Sequence, residues 1–229
     1  MDSTTVVARL EISPGMEETM LRKIEQLRPA ESIELACERD LRALLGRLQE
    51  SHGAYFDSWQ LEIGPPVWRM RITRRDPQVA RTIADFLGKD HQRLRDTWAA
   101  GRYAAADCNL KEVRKAFSEF VVGLTLHMRM EEEVLFPAIE QRTGMRDSGP
   151  TAAMRAEHTR FKEILGRLTR ALEEESCEAI SRMLQSEPTT PEDLFNSHDL
   201  REERVLYPMA DRLITSDEKL RLIAAMQRL

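Results

Sequence analysis

The stretch His127-Met128-Arg129-Met130-Glu131-Glu132-Glu133-Val134-Leu135-Phe136-Pro137 returns 71 residues later. The second copy is His198-Asp199-Leu200-Arg201-Glu202-Glu203-Arg204-Val205-Leu206-Tyr207-Pro208. Both read H-x3-E-E-x-V-L-aromatic-P. A His and a Glu four residues apart share one helix face, about 6 Å from each other along the axis. A weaker echo precedes each copy, Asp90-His91-Gln92-Arg93 before the first and Glu157-His158-Thr159-Arg160 before the second. The second half of the chain therefore reads as two helical hairpins, each with one His on its first helix and an HxxxE on its second.

Apolar residues recur with helical period over about 78–100, 109–141, 151–173 and 191–214, with Gly, Asn, Pro or Ser/Thr/Glu-rich breaks between. Four helices of that length predict a four-helix bundle. Shorter helices are expected over Cys177–Gln185 and Ser216–Leu229. The stripes place the histidines among core positions. The first runs Ile83, Leu87, His91, Leu94, Trp98, and the second Phe120, Leu124, His127, Glu131, Val134, Ala138. The third runs Met154, His158, Phe161, Leu165, Leu168, Leu172, and the fourth Phe195, His198, Glu202, Val205, Met209, Leu213. Pro137 and Pro208 should each kink its helix just past the glutamate, since proline lacks a backbone donor.

Residues 1–75 follow a different period. Strands are expected over Val6–Ile12 and Ser32–Ala36, and helices over Gly15–Leu27 and Glu38–Ser51. A hairpin, Tyr55–Ile63 with Val67–Ile72, should turn at Gly64-Pro65-Pro66. The order βαβαββ predicts a small α+β domain with two helices on one face of its sheet. Arg74–Gln78 is the expected linker, and 76–229 the helical domain, so the chain is mainly α.

Composition narrows the function. The chain has 229 residues, 32% charged and 41% hydrophobic, with net charge −5, which argues against nucleic acid or an anionic membrane as partner. No leader or spanning segment is expected. Cys37, Cys108 and Cys177 are scattered without CxxC spacing, which argues against a disulfide framework and a thiolate zinc site and fits a reducing cytoplasm. Of five histidines, His52 lies outside the bundle and reads as a solvated helix-end residue. The other four, with Glu131 and Glu202, point inward. A buried unpaired carboxylate costs several kcal/mol, so this set calls for a strongly positive partner, and a metal pair supplies it.

The candidate ligands are His91, His127, Glu131, His158, His198 and Glu202. Imidazole with carboxylate and no thiolate suits iron, with manganese or zinc also fitting. If Glu131 and Glu202 each bridge two ions about 3.5–4 Å apart, each ion receives two imidazoles and two carboxylate oxygens. An oxo or hydroxo bridge would add a fifth ligand and leave one position open at each ion. Open positions in a mostly apolar bundle suit a small neutral diatomic, O₂ or NO. Trp98, Met128, Met130 and Met209 near this site read as core. Glu203 and Tyr207 read first as surface or packing residues, and second as proton sources.

These residues resemble the hemerythrin-like (HHE) cation-binding family, antiparallel four-helix bundles with a non-haem di-iron centre. The resemblance covers about 78–214 and implies that the six residues above are the ligands of two irons. Oxygen-carrying members have a second His one turn after the third helix's ligand, where this chain has Lys162. They also use an aspartate five residues after the last His, where this chain has Glu203, with Glu202 at four. The four-His, two-Glu set is similar instead to bacterial di-iron proteins of nitrosative stress, which include iron–sulfur cluster repair proteins and NO-binding proteins of denitrifiers. The N-terminal segment resembles the DUF2249 domain, related in fold to small sulfur carriers, yet Ser13-Pro14 stands where those carriers have Cys-Pro. The resemblance implies a cytoplasmic di-iron protein that binds nitric oxide as a scavenger. Its alternatives are iron donation in cluster repair, reduction of NO or O₂, and sensing, with the partner of the N-terminal domain unspecified.

Overall fold

The computed structural model describes residues 5–11, 16–52, 55–76, 79, 81–185 and 190–229. The expected stop at Ser13-Pro14-Gly15 and the side chain of His52 lie outside the described residues. The chain divides into two compact units, residues 1–81 with 220–229, and residues 82–219. The last ten residues, expected to belong with the helices, join the first unit, where Gln227 donates from its amide nitrogen to the Phe56 carbonyl. No described helix is long and apolar enough to cross a membrane.

The first unit is a four-stranded sheet. Its elements in chain order are β1 (Thr5–Glu11), α1 (Glu17–Glu25), β2 (Glu31–Cys37), α2 (Arg42–His52), β3 (Phe56–Glu62) and β4 (Trp68–Arg74). The strands lie side by side as β1-β2-β4-β3, with β1 parallel to β2 and the other neighbours antiparallel. A parallel pair needs a crossover between its strands, and α1 lies in that connection. Met20, Ile24 and Leu27, at helical spacing, pack with Leu41, Leu44, Leu45 and Leu48 against Ile33, Leu35, Met70 and Ile72 of the sheet.

The second unit is helical: α3 (Ile83–Ala106), α4 (Leu110–Arg129), α5 (Phe136–Thr143), α6 (Pro150–Glu173), α7 (Cys177–Leu184), α8 (Pro191–Arg201), α9 (Tyr207–Leu213) and the start of α10 (Ser216–Met226). Each start has a chemical reason. Thr82, Asn109, Ser176 and Thr190 accept a backbone N–H from their own first turns, satisfying donors that no helical carbonyl reaches. Ile83 and Ala84 also donate to the Asp211 carboxylate of α9, at 2.9 and 3.1 Å. Helix α5 ends at Gly144, in the left-handed conformation that glycine adopts without strain. Trp98, Phe117, Phe120, Phe161, Leu168 and Phe195 form the core between the helices.

The kinks expected at Pro137 and Pro208 take another form. Met130–Leu135 and Glu202–Leu206 are single π turns, joining α4 to α5 and α8 to α9. In a straight α-helix each proline ring would meet the carbonyl four residues before it. Widening the turn relieves that contact: the Phe136 and Tyr207 N–H groups each bond five residues back, to the carbonyls of Glu131 and Glu202. Each π turn moves the later stripe by one residue. Leu206, Tyr207, Ala210 and Ile214 are buried, whereas Val205 and Leu213, expected in the core, are exposed. Leu135 and Phe136 likewise take the place expected for Val134.

The cysteine expectation is corrected. Cys108, between α3 and α4, and Cys177, at the start of α7, form a disulfide across 69 residues, with Cα atoms 5.6 Å apart. Folding brings these two distant positions together, and spacing along the chain carries no sign of it. Closing a loop of that length restricts the unfolded chain by about 4 kcal/mol in the chain-entropy account. Cys177→Ser should therefore melt at lower temperature than the parent without reductant, and at the same temperature with it.

Candidate metal centre

Helices α3, α4, α6 and α8 each contribute one imidazole to a common interior, and the two π turns each contribute a carboxylate. His91, His127, Glu131, His158, His198 and Glu202 are all 2% exposed or less. The structure brings all six together and sorts them into two groups that share Glu202. His91 and His127 converge with Glu202, and His158 and His198 converge with Glu131 and Glu202. The pairing of imidazoles, open in the sequence, is thus within hairpins: α3 with α4, and α6 with α8.

Each glutamate reaches both groups. Glu202 Oε2 lies 3.2 Å from His91 Nε2, and its Oε1 lies 3.1 Å from His198 Nε2. Glu131 Oε2 lies 3.2 Å from His158 Nε2 and 3.6 Å from His127 Nε2. Both carboxylates thus lie between the two histidine pairs.

Sequence reasoning missed the ring of acids outside these six. His91 Nδ1 faces Glu203 at 3.0 Å, His127 Nδ1 faces Asp90 at 2.9 Å, His158 Nδ1 faces Glu132 at 2.9 Å and His198 Nδ1 faces Glu157 at 2.7 Å. A carboxylate there fixes the proton on Nδ1 and turns the Nε2 lone pair inward, the arrangement that orients metal-binding histidines. The signal was in the repeat, since each acid immediately precedes or follows a proposed ligand. Each acid also has a basic partner: Arg95 with Glu203, Arg93 with Asp90, Lys162 with Glu132 and Arg201 with Glu157. Lys162, noted in the sequence for not being a histidine, thus steadies the carboxylate that orients His158. Glu203, first read as surface, is half-buried against His91. Tyr207, first read as packing, is fully buried with its hydroxyl at the centre of the first group.

The donor set tests whether a cation belongs here. With Nδ1 protonated, neutral His91 and His127 would aim two lone pairs at each other across 3.0 Å. Glu131 Oε2, Glu202 Oε1, His158 Nε2 and His198 Nε2 are buried with no hydrogen-bond partner among the described residues. Buried acceptors facing one another in a dry core are destabilising unless something positive lies between them. The residues fit metal binding, and no cysteine joins these groups among the described residues.

Without metal, protons take the cation's part. Burial works against charge on His91, but Glu202 and Glu203 outweigh it and raise its pKa to about 9. Burial likewise opposes charge on His127 and His198. Glu131 and Asp90 push His127 well up, and Glu202 raises His198. Burial would raise Glu202, yet the surrounding imidazoles hold it well below the carboxylate range. For Tyr207, burial and then the charges of Glu131 and Glu202 keep the phenol protonated far above its usual pKa. Because the pKa values of His91, His127 and His198 lie above the usual 6.5, these three imidazoles hold protons at neutral pH that a metal must displace. Anaerobic titration of the metal-free protein with ferrous ion at pH 7 in weak buffer should release protons. Its apparent affinity should fall as pH drops and rise as pH climbs towards 9.

Comparison with curated proteins and with solved structures returns no match. The family model described as Hemerythrin HHE cation binding domain matches residues 82–210, a span that begins at the cap of α3 and ends in α9 and so contains every residue of the centre. That span is more than half of the chain, and the chain belongs to the hemerythrin HHE cation-binding family.

Proposed function

We propose that the helical unit is an antiparallel four-helix bundle holding two non-haem irons, and that it binds nitric oxide as a scavenger. The observation that carries this reading is the enclosed ring of acceptors: four Nε2 atoms and the two Glu131 and Glu202 carboxylates, with a hydrogen-bonded acid behind every imidazole. Reduced iron supplies reversible binding of a small neutral diatomic. The chain's own residues set which ligand reaches it. Phe136 stacks on His158 and Phe161 lies edge-on to His198, so the wall beside the second group is apolar and favours a small ligand over a bulky one. Glu132 and Glu157 hold the imidazoles in place through Nδ1.

Nitric oxide is preferred to oxygen because position 162 carries lysine rather than the carrier proteins' further histidine. The four-His, two-Glu set also resembles the nitrosative-stress group. Residues 1–75 are read as a DUF2249-like module that docks a protein partner. Anaerobic addition of nitric oxide to the reduced protein tests the function. Stable, stoichiometric spectral change is the expected result; steady formation of nitrous oxide would make the protein a reductase, and no spectral change would refute NO binding.

A further inference from the structure

The two halves of the centre are related by the sequence repeat, and they differ at one chemically decisive place. The aromatic that ends each H-x3-E-E-x-V-L motif is Phe136 in the first copy and Tyr207 in the second. Both are fully buried. The π turn before each one rotates it inward onto the first-helix histidine of the opposite hairpin. Tyr207 lies 5.5 Å from the His91 ring at 31°, and Phe136 lies 5.8 Å from the His158 ring at 18°. The placements correspond, so one end of the centre receives a phenol where the other receives a phenyl ring.

The Tyr207 hydroxyl is surrounded by ligand atoms. It lies 3.0 Å from Glu131 Oε1, 3.0 Å from Glu202 Oε2, 3.2 Å from His91 Nε2 and 3.4 Å from His127 Nε2. A buried tyrosine serving only to fill the core needs one acceptor for its one proton. Here two carboxylate oxygens and two ring nitrogens converge on it, far more than its one proton serves. Metal–nitrogen and metal–oxygen bonds of about 2.1 Å place adjacent ligands of a six-coordinate ion about 3 Å apart. The spacings around Tyr207 match that value, as does the 3.0 Å between His91 Nε2 and His127 Nε2. At the other end Phe136 offers no donor atom, and His158 Nε2 and His198 Nε2 have no hydrogen-bond partner among the described residues.

We infer that Tyr207 is a seventh protein ligand, bound through its phenolate oxygen to the metal at the His91–His127 end alone. The two metal positions are then inequivalent, and a small ligand binds at the His158–His198 end, beside Phe136. This rests on the two-metal reading above and corrects its expectation of one open position at each ion. As the metal–phenolate bond forms, the phenol proton leaves to solvent; no electron is transferred.

The test uses the full chain, iron-loaded and oxidised, with iron content measured on every sample. Phenolate bound to ferric iron has a visible charge-transfer absorption with phenolate vibrations in resonance Raman. The parent should show both, and Tyr207→Phe, which copies the residue of the first repeat, should lose both while retaining iron. Phe136→Tyr should add a second such band and weaken azide binding at least tenfold, because a phenolate then occupies the position azide uses. Iron-loaded parent without the band, or a band that survives in Tyr207→Phe, overturns the ligand assignment. Undiminished azide binding in Phe136→Tyr overturns the placing of the open position. A chain that takes up no iron refutes the metal centre itself, and the iron measurement separates that failure from the others.

Discussion

Glu202→Ala is expected to lose metal from both positions, with affinity falling by more than about a hundredfold. The two Glu202 oxygens face different histidine pairs, Oε1 towards His198 and Oε2 towards His91. On the two-metal proposal, removing the side chain would take one ligand from each ion and also remove a negative charge that offsets theirs in a dry core. His158→Ala should behave differently. That imidazole belongs to one group only, so one ion should remain in the His91–His127 group. Metal analysis of the two variants beside the parent checks the contrast. Equal losses in both would mean that Glu202 does not connect the two ends.

Asp90→Ala should be the most destabilising single change near the centre. Asp90 is fully buried, takes a 2.8 Å bond from Arg93 Nε, and faces His127 Nδ1 at 2.9 Å. Burial alone would raise its pKa, but Arg93 and His127 hold it below the usual range, so it is a carboxylate at neutral pH. Truncation leaves the Arg93 guanidinium buried without that counter-charge, a loss of about 3–5 kcal/mol. It also frees His127 to turn, for a further loss in metal affinity of about 10–100-fold. For a protein of this size the melting temperature should fall by roughly 10 °C. Glu132→Ala provides the comparison. Glu132 is half-buried with its cation, Lys162, exposed, so the same orienting role is lost while thermal stability changes little. A stable, metal-loaded Asp90→Ala protein would show that the acids behind the histidines have no orienting role.

How far the sequence could be read depended on which helices were straight. On α3 and α6 the 3.6-residue period holds, and His91 and His158 lie in the core beside Leu94 and Phe161, as the stripes predict. On the other two rods the same period places His127, Glu131, His198 and Glu202 correctly but fails just beyond them, at Val205 and Leu213. The reason is local: two prolines widen one turn each, and the hydrophobic period then carries one residue too many. That offset is also why Tyr207 read first as packing and only second as a proton source, since a straight helix would not bring it in with Glu202. The outer acids were missed for another reason. Asp90, Glu132, Glu157 and Glu203 look like ordinary surface charges, and only the folded pairing shows that each serves a histidine on a neighbouring helix. The disulfide depended on tertiary approach alone, since nothing local marks Cys108 and Cys177 as partners.

The central claim is that one chain encloses two metal ions between two histidine pairs joined by Glu131 and Glu202. Native mass spectrometry of the full chain, purified after growth in iron-replete medium, tests it most directly. The predicted spectrum shows the chain mass increased by two irons, with no population carrying more. A spectrum of the bare chain, persisting after anaerobic reconstitution with ferrous ion, would contradict it.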